Sequence, residues 1–219
     1  MAFALSSDGA LSVLDLGDGE NRLDRDGIAE LHRHLDAVEA RPEPRALVTV
    51  AAGKVWCNGF DQEWMVAHPD EVDRLLDELR GLLARLTVLP VPTVAAVQGH
   101  AFAAGAMLAF AHDFRVMRED RGYLCLPEID LKRALSPASV ALVQAKVPSA
   151  AWPDLLIAAR RFGGPDAVAA GLASRAVGEA AVRPSAAELA GSLAGKDAAT
   201  LAVVKQRLYG PVVERMTAT

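Results

Sequence analysis

The segment VQGHAFAAGAMLAF, residues 97–110, restricts the fold of this chain more than any other. It begins as a turn, carries two glycines among small residues, and continues as an apolar run without a charged residue. A helix that is apolar on every side is buried, and small residues at its start leave its first backbone N–H groups uncovered. The segment therefore predicts either close packing of a helix on a strand or a bare backbone surface that binds a ligand.

Length and composition limit the class of protein. The 219 residues suffice for one substantial core and are few for two independent domains. Hydrophobic residues at 52% indicate a folded globular chain. The formal net charge is −5, and no run of lysine or arginine forms a basic stripe. These features argue against nucleic acid as a partner, because nucleic-acid binding depends on clustered cations.

Membrane and targeting signals are the next consideration. The longest apolar stretch, residues 101–111, is too short to cross a bilayer. The first ten residues lack the basic region of a secretory signal, and the last six match neither a prenylation motif nor a peroxisomal address. Cys57 and Cys125 stand in apolar contexts, as expected of buried free thiols in a reducing compartment. We therefore predict a cytoplasmic protein without a membrane partner.

Hydrophobic periodicity predicts an α/β chain. It indicates an N-terminal hairpin, a glycine-bounded loop over residues 53–61, an amphipathic helix over residues 70–87, and an alanine-rich helical region from residue 136 onward. Further short strands are predicted in RALVTVAA, TVAAVQG, DFRVM and YLCL. The phosphate-binding pattern GxGxxG follows none of these strands, which argues against a dinucleotide-binding sheet.

Two segments together resemble one protein family. GKVWCNGFDQEWM (53–65) and PTVAAVQGHAFAAGAMLAFAHDFRVMREDRGYLCLPEIDL (92–131) are similar to the two core motifs of the enoyl-CoA hydratase/isomerase family, also called the crotonase superfamily. The similarity is greatest to the enoyl-CoA delta-isomerase branch and extends over residues 3–178. The resemblance implies an α/β fold, the crotonase (ClpP-like) spiral of ββα units with a C-terminal helical region.

Domain organisation, substrate and assembly follow from this resemblance as expectations. Residues 1–180 are expected to form the spiral core, and residues 181–219 a helical segment that packs on the core or on a neighbouring subunit. The resemblance implies an acyl-CoA thioester substrate, so coenzyme A is part of the substrate and no separate cofactor is expected. No metal site is expected either, since no His, Cys and carboxylate side chains have metal-ligand spacing. The expected assembly is a homotrimer or a dimer of trimers.

The resemblance also implies an oxyanion hole made of two backbone N–H groups. Proton removal beside a thioester carbonyl gives an enolate, and one N–H aimed at its oxygen lowers the barrier by about 3–4 kcal/mol. Carried over by position, the donors are the N–H of Phe60, after Asn58 and Gly59, and the N–H of Ala104, before Gly105. The family commonly has glycine at the second donor. Alanine keeps the N–H but demands an ordinary φ there.

The acid–base residue decides the reaction. Hydratases of this family use two glutamates, and the position of the first, on the helix after the glycine turn, is Met107 here. The second corresponds to Glu128 in LCLPEIDL. A single base can remove a proton from C2 of a 3-enoyl thioester and return it at C4, whereas adding water favours a second group that orients the water. The pattern therefore predicts a delta3-delta2-enoyl-CoA isomerase of fatty-acid breakdown, with Glu128 as acid and base in apolar surroundings.

Other polar residues have supporting roles by resemblance. Glu20 would line the coenzyme A path through its backbone atoms, and Arg22 would pair with a phosphate. Asp61 would orient the first oxyanion loop and, with Asn58, Gly59, Gly105 and Met107, would line the substrate site. We expect His100 to make a structural hydrogen bond and not to act as a base. Asp130 would help to set the environment of Glu128.

Two alternatives to the isomerase stay open at this point. The first is an enoyl-CoA hydratase or dehydratase with an unrecognised second group. The second is a catalytically inactive homologue that binds acyl-CoA, which Met107 and a C-terminal region shorter than is usual in the family both favour. Under the second alternative Glu128 only caps a loop or forms an ion pair.

Overall fold

The computed structural model describes residues 3–217, which form nine strands and eight α-helices. The strands are β1 (Ala4–Asp8), β2 (Leu11–Asp15), β3 (Ala46–Val50), β4 (Val55–Cys57), β5 (Thr93–Val97), β6 (His100–Phe102), β7 (Phe114–Arg118), β8 (Leu124–Cys125) and β9 (Arg175–Val177). The helices are α1 (Arg25–Ala40), α2 (Gln62–Ala67), α3 (Val72–Val88), α4 (Ala104–Ala111), α5 (Pro137–Lys146), α6 (Gly164–Ala169), α7 (Glu179–Leu193) and α8 (Ala198–Thr217).

Two sheets organise the chain. The larger sheet has the strand order β1-β2-β3-β5-β7-β9, in which β1 and β2 form the predicted antiparallel hairpin and the other pairs are parallel. The smaller sheet is parallel, with the order β4-β6-β8. The chain alternates between the sheets, from β3 to β4, from β5 to β6 and from β7 to β8, and helices follow each pair. This alternation forms the predicted spiral of ββα units.

The amphipathic helices form because their apolar spacing lets one face be buried. α1 begins after Asp24, whose side chain accepts a hydrogen bond from the N–H of Gly27 at 2.7 Å. α3 begins at Val72 and not at residue 70, because Pro69–Glu71 form a separate 3₁₀ turn. The buried side of α3 carries Leu75, Leu79, Leu82, Leu83 and Leu86.

Three short strands lie where the sequence predicted none. β4 falls inside the segment predicted as a glycine-bounded loop, β6 falls in the turn predicted before the apolar helix, and β9 falls inside the region predicted as helical from residue 136 onward. Each has three residues, too few for a periodic pattern. β4 pairs with β6, and β9 pairs with β7 at the edge of the larger sheet. Pairing with an existing neighbour therefore fixes their conformation, and local propensity does not.

The two C-terminal helices pack on the rest of the chain. α7 buries Val182, Ala186 and Ala190 in the same apolar cluster as Val48 and Val94 of the larger sheet. α8 contacts α3 and α5. The described part of the segment predicted as helical over residues 181–219, residues 181–217, thus lies against the core of its own chain, and α7 starts at Glu179.

Within residues 3–217, no helix is both long enough and apolar enough to cross a membrane.

Candidate active site

The three strands of the smaller sheet bring the predicted site residues to one edge. Phe60 follows the end of β4, Ala104 follows the end of β6, and Glu128 follows the end of β8. These strands are parallel, so their carboxyl ends lie at the same edge, where open α/β sheets bind ligands. Positions that are far apart in the sequence therefore meet because each lies two or three residues beyond a strand.

The first loop holds Phe60 with its N–H directed away from the neighbouring chain segment. The N–H of Leu23 donates to the oxygen of Gly59 at 2.8 Å, and the N–H of Asp61 donates to the oxygen of Leu23 at 2.9 Å. In such a parallel bridge, the residue between the two bonds points its own N–H to the opposite side. Gly59 is required because its φ is +80° and a Cβ there would lie 3.1 Å from the oxygen of Phe102.

The second loop is a tight turn at the start of α4. The N–H of Ala103 donates to the oxygen of Cys125 on β8 at 3.0 Å, and the oxygen of Ala103 accepts from Met107 at 3.0 Å. Ala104 is the first helical residue, so its N–H has no acceptor within the helix. A Cβ on Gly59 would lie 3.4 Å from the nitrogen of Ala104, which shows how close the two loops are.

The unusual backbone conformation of this turn lies one residue before the donor. Ala104 has the ordinary, helical geometry expected of it, whereas Ala103 has φ +50° and ψ −123°, a conformation that alanine rarely adopts. The sequence does not predict this positive φ at Ala103. The signal in the sequence that could have indicated Ala103 is the turn that must precede a helix that starts in this way.

Gly105 and Met107 face the interior. A Cβ on Gly105 would lie 2.1 Å from the oxygen of Cys57, so only glycine lets α4 rest directly on β4. Met107 is 3% exposed and belongs to the main apolar core. Both residues were predicted to line the substrate site. The structure places Gly105 at a helix–strand contact, and Met107 supplies no titratable group to that helix.

Glu128 is a half-buried carboxylate with a free oxygen. It lies in the turn after β8, which is closed by a hydrogen bond from the N–H of Arg133 to the backbone carbonyl oxygen of Glu128 at 2.9 Å. Burial raises the pKa of Glu128 above its ordinary value, opposed by a hydrogen bond from its own backbone N–H. Its Oε2 is buried and has no hydrogen-bond partner among the described residues. Such a carboxylate is suited to accept a proton from a bound molecule.

The residues predicted for coenzyme A lie beside the first loop. The carbonyl oxygen of Glu20 accepts the N–H of Asn58 at 3.0 Å, and its carboxylate accepts a hydrogen bond from the Asn58 side chain. Arg22 lies 3.7 Å from the same carboxylate and is partly exposed. Asp61 caps α2 by accepting hydrogen bonds from the N–H groups of Glu63 (3.0 Å) and Trp64 (3.1 Å).

His100 differs from its prediction. Its Nδ1 is buried and has no hydrogen-bond partner among residues 3–217. The ring instead stacks between Phe102 and Tyr123, each with its centroid 5.2 Å away. Burial, followed by the charge of Lys54, lowers the pKa of His100. The expected structural hydrogen bond is therefore replaced by aromatic packing.

The spiral of ββα units, with two backbone donors and a half-buried glutamate at one edge of the smaller sheet, defines a protein of the crotonase fold. Residues 10–218 match the family model described as enoyl-CoA hydratase/isomerase. The chain belongs to the enoyl-CoA hydratase/isomerase family.

Similar proteins agree with this assignment. Enoyl-CoA delta isomerase 2, peroxisomal, of Arabidopsis thaliana is 36% identical over 78% of this chain and 75% of that protein. Enoyl-CoA delta isomerase 3 of the same plant is 34% identical over 94% and 91%, respectively. A putative enoyl-CoA hydratase of Thermus thermophilus is 34% identical over 91% and 81%. Among solved structures, the apo enoyl-CoA isomerase of Mycobacterium tuberculosis has a TM-score of 0.90 and 25% identity, covering 98% of this chain and 93% of that one.

Proposed function

We propose that the protein is a delta3-delta2-enoyl-CoA isomerase that moves the double bond of a fatty acyl-CoA, with Glu128 as its acid and base. The observation that carries the proposal is the half-buried Glu128 carboxylate, with a free oxygen, at the sheet edge where the N–H groups of Phe60 and Ala104 also lie. Three plant isomerases among its relatives support the same reaction.

The proposed reaction needs one base and two donors. Glu128 takes a proton from C2 of the 3-enoyl thioester, and the electron pair of that C–H bond moves toward the carbonyl to give a dienolate. The N–H groups of Phe60 and Ala104 donate to the thioester oxygen as it becomes negative. The protonated Glu128 then returns the proton to C4, and the double bond lies between C2 and C3. No atom is gained or lost.

The coenzyme A portion of the substrate lies beside the first loop in this proposal. Arg22 pairs with a phosphate at the rim, and Asn58, Gly59 and Asp61 keep the loop in place. Because the carbonyl oxygen of Glu20 already accepts the Asn58 N–H, its contact with the substrate is made by its remaining backbone atoms or its carboxylate. Coenzyme A enters as part of the substrate and no separate cofactor is required.

The test offers purified protein 3-enoyl-CoA and 2-enoyl-CoA separately. We expect conversion of the first and no hydration of the second. Glu128→Gln keeps the shape of the side chain but cannot take a proton, so kcat should fall by at least about a hundredfold. Glu214→Gln, which makes the same change at an exposed glutamate on α8, is the matched control and should keep most of the activity. Full activity in Glu128→Gln would overturn the proposal.

The same experiment separates the two alternatives. The Thermus relative favours a hydratase, and hydration of 2-enoyl-CoA without isomerisation of 3-enoyl-CoA would establish it. Tight binding of acyl-CoA without turnover on either substrate would establish an inactive binding protein. The buried Met107 argues against hydration, since no second carboxylate stands at that position.

We also propose a homotrimer or dimer of trimers, a cytoplasmic location and a role in fatty-acid breakdown. Exposed apolar side chains on α8 support self-association: Val203, Val204 and Leu208 are 47%, 51% and 62% exposed. Light scattering on the purified protein measures the assembly, and a monomer at all concentrations would contradict it. Imaging of a tagged chain tests the location, with the peroxisome of the plant relative as the competing outcome.

A further inference from the structure

Two buried cations hold the C-terminal end of α4, the helix that starts with the Ala104 donor. Arg115 on β7 donates from Nη1 to two carbonyl oxygens of the last turn of α4 (3.3 and 3.4 Å) and to the oxygen of His112 (3.1 Å). Lys146, the last residue of α5, has its Nζ 3.5 Å from the same His112 oxygen. The side chain of Lys146 is 2% exposed.

A third cation reaches this end of α4 from the C-terminal helix. Lys205 on α8 donates to the oxygen of Val91 (2.9 Å) and to Oδ2 of Asp113 (2.6 Å). Asp113 follows α4 directly, and its Oδ2 also accepts the N–H and the hydroxyl of Thr93 (2.9 and 3.1 Å). Lys146 lies 4.0 Å from the other oxygen of Asp113. Side chains from β7, α5 and α8 thus place three cations near the C-terminal end of α4.

Positive charge is in excess at this point. Among the described residues that meet there, three cations face the single carboxylate of Asp113. His112 adds no charge, because burial lowers its pKa to about 4. The remaining titratable neighbour is Tyr209, whose ring lies 3.9 Å from Nζ of Lys146 and whose pKa is raised by burial. Burial lowers the pKa of Arg115 to about 10, so it stays charged at neutral pH.

We propose that Arg115, Lys146 and Lys205 are positioning residues of the oxyanion hole, which hold α4 at its C-terminal end and add positive potential along its axis at the Ala104 N–H. This inference rests on the proposed function. The N–H donor and the cations are at opposite ends of one buried helix of eight residues. Its length is about 12 Å. Little solvent lies between its ends to screen the charges, since every residue of α4 is buried.

The three cations and the partial charges of helix α4 both stabilise an anion at the Ala104 N–H. The N-terminal end of a helix carries a partial positive charge, and cations at its C-terminal end neutralise the opposing partial charge. At about 12 Å and an effective dielectric constant near 20, one buried charge changes the stability of an anion by roughly a factor of ten at most. Removing one cation should therefore lower kcat by roughly three- to tenfold and leave KM nearly unchanged.

The kinetic test compares Lys146→Met and Lys205→Met with wild type. Lys205→Arg keeps the charge and should restore most of the kcat lost in Lys205→Met. Lys196→Met removes an exposed lysine between α7 and α8 and is the control for overall charge. Burial lowers the pKa of Lys146 to about 7. The wild-type to Lys146→Met ratio of kcat should therefore be largest near pH 6 and approach one above about pH 8. A purely structural role predicts a ratio that does not depend on pH.

A second measurement does not depend on turnover. A 3-oxoacyl-CoA ionises at C2 to an enolate with its own ultraviolet absorption, and an oxyanion hole that binds the enolate lowers the pH at which this occurs. Lys205→Met should raise that pH by roughly 0.5–1 unit. Lys146→Met should do the same where the ionisation occurs below about pH 8, at which Lys146 carries charge, whereas Lys196→Met should not change it. An unchanged ionisation in both variants would overturn the role of the cluster. Absence of isomerisation by wild type would instead overturn the proposed function, and the enolate measurement would still decide the role of the cluster.

Discussion

Ala103 holds an unfavourable conformation so that two successive N–H groups can point in different directions. Its own N–H donates to Cys125 on the neighbouring strand, while the N–H of Ala104 is left facing the sheet edge. A φ of +50° at a residue with a Cβ costs about 1–3 kcal/mol. The turn before α4 therefore lowers the stability of the protein in order to hold a particular backbone geometry.

Ala103→Gly is expected to stabilise the protein. Glycine adopts this φ without strain, although it gives the unfolded chain about 0.5–1 kcal/mol more conformational entropy. The net gain should be about 1 kcal/mol, which urea unfolding would measure. Ala106→Gly, two residues into the same helix turn, is the control and should destabilise by about 1 kcal/mol or more. A loss of stability in Ala103→Gly would show that the turn is not strained.

At this scale the sequence predicts which candidate residues share one sheet edge better than it predicts their environment. Phe60, Ala104 and Glu128 follow from motif positions, because each motif keeps its place beyond a strand. The strain at Ala103 does not follow, since alanine gives no sign of a positive φ. The cluster of Arg115 with two lysines does not follow either, because its members come from separate elements and meet only when α5 packs on α4 and α8 packs on α5.

The contact between α4 and β4 is the element-scale feature on which the site depends. Gly105 lies directly on the oxygen of Cys57, so the helix axis and the strand are as close as two backbones allow. For residues 97–110 the sequence predicts either close packing or a bare backbone surface. The structure shows the close packing at Gly105, and one residue earlier the N–H of Ala104 has no acceptor within the helix.

Gly105→Ala should separate α4 from β4. The added Cβ would lie 2.1 Å from the Cys57 oxygen, so the free energy of unfolding should fall by about 3 kcal/mol or more, and isomerisation should be lost. Gly81→Ala in α3 is the matched control, because a Cβ there meets nothing within 4 Å. It should stabilise by about 0.5–1 kcal/mol and leave turnover intact. The idea fails if Gly105→Ala keeps wild-type stability and activity.

The length of an element decides whether the sequence pattern can predict it. The periodic pattern of α3 spans several turns and identifies it, whereas β4, β6 and β9 have three residues each. β4 lies between Gly53 and Gly59, so its local sequence is typical of a loop. It becomes a strand because β6 offers it a partner, which is information that no window of the local sequence contains.

For the whole molecule, the buried Lys146 makes stability depend on pH. Its pKa is about 7 when folded and 10.5 for the free side chain. Between these values the unfolded chain binds more protons than the folded one, so the free energy of unfolding rises with pH across this window. The stability is lost again as pH falls from about 10.5 toward 7. The size of the effect is on the order of a few kcal/mol.

Lys146→Met should remove this dependence. At pH 7 the variant should be more stable than wild type, because a buried charge has been replaced by an apolar side chain of similar length. The difference between the two proteins should shrink as pH approaches 10. Urea unfolding at several pH values provides the measurement. A variant that is less stable than wild type at pH 7 would contradict the assigned cause.

The parallel pairing of β4 with β6 fixes the distance between the two strands as well as the edge at which both end. Neighbouring strands lie about 4.8 Å apart. If the loops beyond β4 and β6 keep that distance, one oxygen atom at about 2.9 Å from both nitrogens receives the two hydrogen bonds at an angle of about 110°. That angle is close to the separation of the two lone pairs on a carbonyl or enolate oxygen. The distance between neighbouring strands, which is common to all sheets, would then fit this edge to a single oxygen atom and not to a larger anion.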